Sequence, residues 1–353
     1  MGFGEMFFWC ERHDRETLVA ERIMLQPRLS HTKTKPLCAT GTNEVDVSSY
    51  MKIPIRYPIL LVALCTVARL SAGPEERYVA TTTATDSKKV SLDLFSLESG
   101  YVFESDLNHG GSFGKQDSLQ TEFDYAHRFL LTGHLYLRLG VSYDRYDFGH
   151  TAAPVPVHLQ SAAAVIGIDY MHNDDVGAFL WLKPGFYTEE HVGISSFDMP
   201  ITVGRIFPLQ DDTLYLLVGA QSSFLRGGYP VFPFAGIIWI PCNKWRLMFV
   251  PPEPRLIYSP TKNLDVWIGG EIAGGSFRTD RDSGIRPTKL NGAQVDYEDY
   301  RAGVGLKYSP NNAVTVDLGG GYSIERGFKF HRAGENFRTD PAPYLKLEFK
   351  AKF

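Results

Sequence analysis

From Leu345 to the last residue the chain alternates: Leu345, Leu347, Phe349, Ala351 and Phe353 are apolar, and Lys346, Glu348, Lys350 and Lys352 between them are charged. A period of two held this long predicts a β-strand with one oily and one polar face. The pattern recurs upstream. Leu135, Leu137, Leu139, Val141 and Tyr143 oppose Tyr136, Arg138, Gly140, Ser142 and Asp144; Val314, Val316, Leu318, Gly320 and Tyr322 oppose Thr315, Asp317, Gly319, Gly321 and Ser323; Ala302, Val304, Leu306 and Tyr308 oppose Arg301, Gly303, Gly305 and Lys307. Candidate strands occupy 92–107, 118–130, 133–147, 159–171, 175–188, 197–207, 212–223, 231–241, 244–250, 255–259, 262–279, 292–307, 312–329 and 341–353. No run of about 18 apolar residues occurs, so a spanning helix is not expected.

Strands of about 9 to 11 residues can cross a hydrocarbon layer, and the last one ends on an aromatic with no polar tail. The connections agree with a barrel. Tight turns rich in Asn, Asp, Gly and Pro fall near Leu131-Thr132, His172–Asp174, Gln210–Asp212, Cys242-Asn243, Ser259–Lys262 and Pro310–Asn312, and longer connections at 108–117, 148–158, 189–196, 224–230, 280–291 and 330–340. Short turns on one side and long loops on the other are the habit of outer-membrane barrels, whose two chain ends share the short-turn side. The fold class expected is all-β, a single antiparallel transmembrane barrel of the outer-membrane type with 14 strands, provided that Pro251-Pro252-Glu253-Pro254 connects two short strands. With 244–259 read as one bulged strand the rhythm inverts, and 12 strands is the alternative count.

The chain before this region reads differently. Residues 1–50 show no period and are read as an over-extended, disordered N-terminus. At 51–72 stands a secretory signal: Met51 as initiator, Lys52 and Arg56 as its positive start, a short apolar run from Ile59 to Ala68, and a small residue, Ala72, before the cut. Residues 73–91 are a periplasmic lead-in and 92–353 the barrel. Of the four cysteines, Cys10, Cys38 and Cys65 lie before the cut, which leaves Cys242 and no intramolecular disulfide.

A formal net charge of −4 without a Lys/Arg block argues against nucleic acid as a partner. Aromatics at 13% and 33 glycines suit closely packed strands that end in aromatic girdles. Trp239 and Trp245 flank one tight turn, the place of an interface anchor, and Phe353 is a third anchor and the segment a barrel-assembly machinery could read. Charged residues on the polar faces point into the lumen, as channel lining or as ion pairs that plug it; Arg138, Glu271, Arg301, Asp317 and Lys350 are the lining candidates, and 148–158 and 224–230 the loops that could constrict it from outside. The partners expected are outer-membrane lipids, the assembly machinery and a small-solute cargo.

Enzyme readings find little support. His191 with Ser195 and Ser196 is the nearest approach to a serine–histidine pair, but it lies in a flexible connection and has no unique acidic partner. No phosphate-binding glycine motif or metal-ligand spacing stands in a usable context. No catalytic residue, cofactor or metal is therefore expected. A passive channel is the leading function, with a closed structural or adhesion barrel, or a lipid-modifying enzyme, as alternatives.

The stretch Pro233-Phe234-Ala235-Gly236-Ile237-Ile238-Trp239-Ile240-Pro241, the proline-bearing segment from Trp245 to Pro254 and the terminal aromatic strand together resemble a family of bacterial outer-membrane β-barrels of unestablished function, a domain-of-unknown-function family, over roughly 95–353. The resemblance implies an outer-membrane location and a porin-like barrel, and brings no catalytic residues with it.

Overall fold

The computed structural model describes residues 92–353 apart from 173–174, 211–212, 282–286 and 312. The N-terminal extension, the signal at 51–72 and the lead-in at 73–91 lie outside the described residues. Seventeen segments form one sheet: β1 (Asp93–Asn108), β2 (Ser112–Thr132), β3 (Leu135–Phe148), β4 (His158–His172), β5 (Asp175–Leu182), β6 (Gly185–Thr188), β7 (Phe197–Asp198), β8 (Ile201–Gln210), β9 (Leu214–Ser222), β10 (Val231–Cys242), β11 (Trp245–Phe249), β12 (Arg255–Thr261), β13 (Leu264–Arg278), β14 (Gln294–Tyr308), β15 (Val314–Phe330), β16 (Glu335–Thr339) and β17 (Ala342–Lys352).

Three neighbouring pairs are single strands interrupted at a proline: β5 and β6 at Lys183-Pro184, β7 and β8 at Met199-Pro200, β16 and β17 at Asp340-Pro341. Proline has no N–H to give to a ladder, which breaks the hydrogen bonding without ending the strand's course. The barrel therefore has 14 antiparallel strands. It closes where β17 runs antiparallel to β1, from Leu94 opposite Lys352 to Val102 opposite Tyr344. The last residue shares the seam, because Leu92 N–H and Asp93 N–H both donate to the carbonyl of Phe353.

The Pro251–Pro254 stretch does join two short strands, with Trp245 opposite Tyr258 and Met248 opposite Arg255. The 12-strand alternative does not hold. Two of the expected long loops are shorter than their composition suggests. β1 and β2 stay paired up to Asn108 opposite Ser112 through register shifts, and β16 lies inside the stretch 330–340. Beyond the hydrocarbon layer a strand has no reason to keep an oily face, so its alternation fades while its ladder continues.

Outward rows carry the exposed apolar residues, among them Val141, Ile168, Val304, Leu306, Leu318 and Leu347. The inward rows are buried and hold three kinds of filling. At the long-loop end sits an aromatic cluster of Tyr146, Phe148, Tyr187, Phe277, Tyr297, Phe328, Phe330 and Phe337. Nearer the short turns, Met171, Phe179, Trp181, Phe234, Ile238, Met248, Ile257 and Trp267 form a second apolar cluster along the β4–β13 wall. Charged side chains of β1–β4 and β12–β17 fill the rest. At the outer end β6 and β13 touch, Thr188 beside Arg278 in parallel register, so the wall is pinched there.

The barrel interior as candidate functional site

Arg138 on β3 is fully buried. Its Nη2 lies 2.7 Å from Asp169 Oδ2, and Arg128 Nε donates to the same oxygen at 2.9 Å. The other carboxylate oxygen of Asp169 accepts from the indole of Trp181 at 2.8 Å, and the Arg138 guanidinium stands 5.0 Å from that ring. The arrangement repeats across the barrel. Asp317 Oδ2 accepts from Arg255 at 2.8 Å, its Oδ1 from the Trp267 indole at 2.8 Å, and the Arg255 guanidinium lies 4.2 Å from the Trp267 ring. In each unit the carboxylate is held from both sides, and a guanidinium over an indole face gains a cation–π contact.

Glycines make the room for these rings. A Cβ at Gly167 would fall 2.6 Å from Trp181, and one at Gly305 would fall 2.3 Å from Trp267. These two glycines on the polar rows thus seat inward aromatic side chains. Trp181 and Trp267 themselves went unnoticed in the sequence. The signal was present: Trp267 shares a face with Asp265, Gly269 and Glu271, so its ring had to be inside.

Glu271 and Arg301 approach at 3.7 Å. Arg301 also donates to Asp299 at 2.8 Å and to Gln120 on β2 at 2.7 Å. Lys346 is a hub, with its Nζ 3.1 Å from Glu98, 3.2 Å from Glu253 and 2.9 Å from Glu271. Glu253 comes from the proline-rich bend between β11 and β12 and is 2% exposed, so this connection sends its carboxylate into the lumen. Lys350 pairs with Glu348 at 2.8 Å. Arg138, Glu271, Arg301, Asp317 and Lys350 all face the interior, each with at most 5% of its surface exposed.

Strands that are not neighbours in the sheet touch through these side chains. Arg326 on β15 donates to Ser118 Oγ at 2.5 Å and to the Gln116 carbonyl at 2.6 Å, both on β2. Above them Phe148 of β3 meets Phe328 of β15 at 4.8 Å between ring centres, and Tyr146 meets Tyr297 at 5.0 Å. The space between Arg246, Asp265, Lys307, Asp317 and Lys350 is a cavity of about 20 Å³, room for about one water. Between β12–β17 and β1–β3 the interior is packed with ion pairs and aromatic rings.

Both candidate constriction loops lie at the long-loop mouth and feed the aromatic cluster, 148–158 through Ala153 and Val155 and 224–230 through Leu225. The second is tied down twice. Asp198 accepts from Ser223 Oγ at 2.5 Å and from Phe224 N–H at 2.9 Å, and Gly227 N–H reaches Asp296 at 3.3 Å. Asp296 also holds His331 Nε2 at 2.9 Å; that hydrogen bond raises the histidine's pKa against the opposing effect of burial.

The structure singles out one acidic partner for His191: its Nδ1 is 2.7 Å from Asp280, 89 residues on. Burial pushes the Asp280 carboxyl up, but His191 and the N–H groups of residues 190 and 191 outweigh it and hold the pKa below the usual range. The Ser196 hydroxyl donates to the Gly193 carbonyl at 2.8 Å, within its own turn. Glu190, His191 and Asp280 bring donor atoms within 4.8 Å of one another at an exposed edge, where hydrogen bonding between the 189–196 loop and the end of β13 accounts for the grouping. Trp239 and Trp245 stand outward beside the 243–244 turn, about half exposed, with the Trp245 ring 4.8 Å from Tyr258. Phe353 is 72% exposed at the end of the seam.

No family model matches the chain, and no curated protein matches it. Among solved structures, an outer membrane channel from Pseudomonas putida F1 is similar at 10% identity and a TM-score of 0.41, over 77% of this chain and 97% of that one. The Pseudomonas putida toluene transporter TodX follows at 12% identity and 0.32, over 76% and 90%. The translocator domain of the autotransporter NalP from Neisseria meningitidis stands at 9% and 0.34, over 76% and 90%.

Proposed function

We propose that this protein is an outer-membrane channel for small ions or polar solutes, shut in the conformation described. One observation carries the reading: the middle of the lumen is charged, although the same barrel fills its remaining interior with apolar and aromatic side chains. Desolvating an ion pair costs more than apolar packing of the same volume. A permanently sealed plug has no need of that cost, whereas a route that water and ions enter needs polar walls. Glu271, Arg301 and Lys346 line the path at mid-height, and Arg138, Asp317 and Lys350 line it nearer the periplasm. The seam ending in Phe353 is the segment we assign to recognition by the assembly machinery.

The second reading is a closed structural or adhesion barrel with binding loops, and the direct contact of aromatic rings across the mouth favours it. Recording from purified protein in a planar bilayer separates the two. The channel reading expects rare discrete steps from the wild type, more frequent steps from Arg301→Gln, and a shift toward anion preference in Glu271→Gln. Silence from all three across voltage and salt would overturn it and leave the closed barrel.

A further inference from the structure

The lipid-facing wall carries a charge where none is needed for the fold. Arg205 lies on an outward row of β8, opposite Ala178 of β5 on one side and Val218 of β9 on the other. Counting five residues up from Gln210, at about 3.3 Å each and a tilt of about 40°, its Cα stands about 13 Å above the periplasmic turn. That height is inside the hydrocarbon layer, where a lipid-facing arginine costs up to about 2–4 kcal/mol near the midplane. Other charged side chains of the outward rows stand near the rims: Asp93 beside His127 at the periplasmic end, Arg145 with Asp147 and Glu325 with Arg338 toward the outer end. These have partners of opposite or complementary charge. Among the described residues no carboxylate pairs with Arg205.

Around it the wall is hollow. A groove of about 570 Å³ runs over β4, β5, β8 and β9, because Ala178 and Ala220 are small while Ile168, Tyr170, Leu180 and Val203 rise beside them. Arg205 enters this groove with its guanidinium 4.9 Å from the ring of Phe207, one outward position nearer the periplasm. The side chain thus leans toward the inner interface, as a snorkelling arginine does.

We propose that this groove is a binding site for a phospholipid of the periplasmic leaflet, its acyl chain in the apolar hollow and its phosphate on Arg205. The inference is independent of whether the lumen conducts. A guanidinium matches a phosphate with two parallel hydrogen bonds, and those bonds are strong where water is scarce. A second copy of the chain fits less well. The groove has no Asp or Glu in its lining, so a two-fold contact through it would bury two guanidinium groups with no counter-charge.

The test is native mass spectrometry of the protein in detergent with added palmitoyl-oleoyl phosphatidylglycerol, and in parallel with palmitoyl-oleoyl glycerol, which has the same chains and no phosphate. Wild type should retain one phosphatidylglycerol and bind it about tenfold or more tightly than the phosphate-free lipid. Arg205→Gln should lose about tenfold in affinity for phosphatidylglycerol and discriminate no longer, while Arg205→Lys keeps most of the binding. Ala220→Phe fills the hollow without touching the charge and should weaken both lipids. Removing a charge from the lipid face does not threaten folding, and heat-modifiable migration of each variant verifies that. Affinity of Arg205→Gln within about twofold of wild type, equal binding of the two lipids by wild type, or a dimer that Arg205→Gln dissolves would each overturn the proposal.

Discussion

Lys346→Met tests whether the interior is dry. The ammonium sits 2.9–3.2 Å from three carboxylates, and all four side chains are 4% exposed or less. With an effective permittivity of about 20, each such contact amounts to about 5 kcal/mol of attraction, against which stand the desolvation of the lysine and the repulsion among Glu98, Glu253 and Glu271. Methionine keeps the volume and removes the one cation that Glu98, Glu253 and Glu271 share, while Glu253 keeps Arg255 at 3.1 Å and Glu271 keeps Arg301 at 3.7 Å. Breaking a buried pair in this way costs about 3–5 kcal/mol. The assay is urea unfolding of the protein in lipid vesicles, followed by tryptophan fluorescence. Adding Glu271→Gln to the methionine variant removes one of the three crowded carboxylates and should return about 1–2 kcal/mol, a coupling typical of groups in direct contact. If Lys346→Met costs less than about 1 kcal/mol, water already solvates those carboxylates and the packed-lumen account is wrong.

Two further outcomes follow from contacts already described. Gly305→Ala drives a methyl group into the Trp267 ring and should cost about 1–3 kcal/mol with a change in the near-ultraviolet circular dichroism of that indole; an unchanged spectrum would contradict the seating of Trp267 against Gly305. His331 has a raised pKa, so its bond to Asp296 is fully formed below the ordinary histidine range and is lost as pH rises through the raised value; Lys329 opposes the protonated form and Glu298 favours it. Protection of the Gly227 amide, which shares Asp296, taken relative to the intrinsic exchange rate at each pH, should therefore fall as pH rises above the ordinary histidine range, and that fall should be absent in His331→Gln.

The strands were legible because a barrel wall has oil on one side and a polar interior on the other, which writes a period of two into β3, β14, β15 and β17. Even the short hairpin at Pro251–Pro254 could be placed, since the alternation of short and long connections demanded it. What could not be read was which inward charge meets which. Arg138 and Asp169 are 31 residues apart and share adjacent strands, but Arg255 and Asp317 are separated by 62 residues and two intervening strands, and that contact depends on how the wall curves. The outer ends of β13–β15 were hard to read for a different reason. Residues 273–277, 295–299 and 326–330 are buried on both faces, one by the aromatic cluster and the other beneath elements such as the 224–230 loop, so no clean alternation survives.

The interior holds its charges in two manners, and the difference decides where an opening would begin. In the Arg138–Asp169–Trp181 and Arg255–Asp317–Trp267 units an indole N–H fixes one carboxylate oxygen, a guanidinium takes the other, and the ring covers the cation. Moving any member strands the other two, so these units behave as fixed posts in opposite parts of the wall. Lys346 is bound differently. An ammonium is a compact charge with rotatable donors and no required plane, and it already divides itself among Glu98, Glu253 and Glu271. It can give up one carboxylate and keep two, and one of the three, Glu253, sits on the bend between the two shortest hairpin-forming strands of the wall. A displacement between β17 and the β11–β12 bend breaks only the Glu253 contact among the three of Lys346, and Glu253 then still has Arg255 of the second tryptophan unit at 3.1 Å. A channel built on this barrel would widen on that side, beside Glu271 and Arg301, which is why neutralising those two residues tests conduction more sharply than altering Arg138 or Asp317.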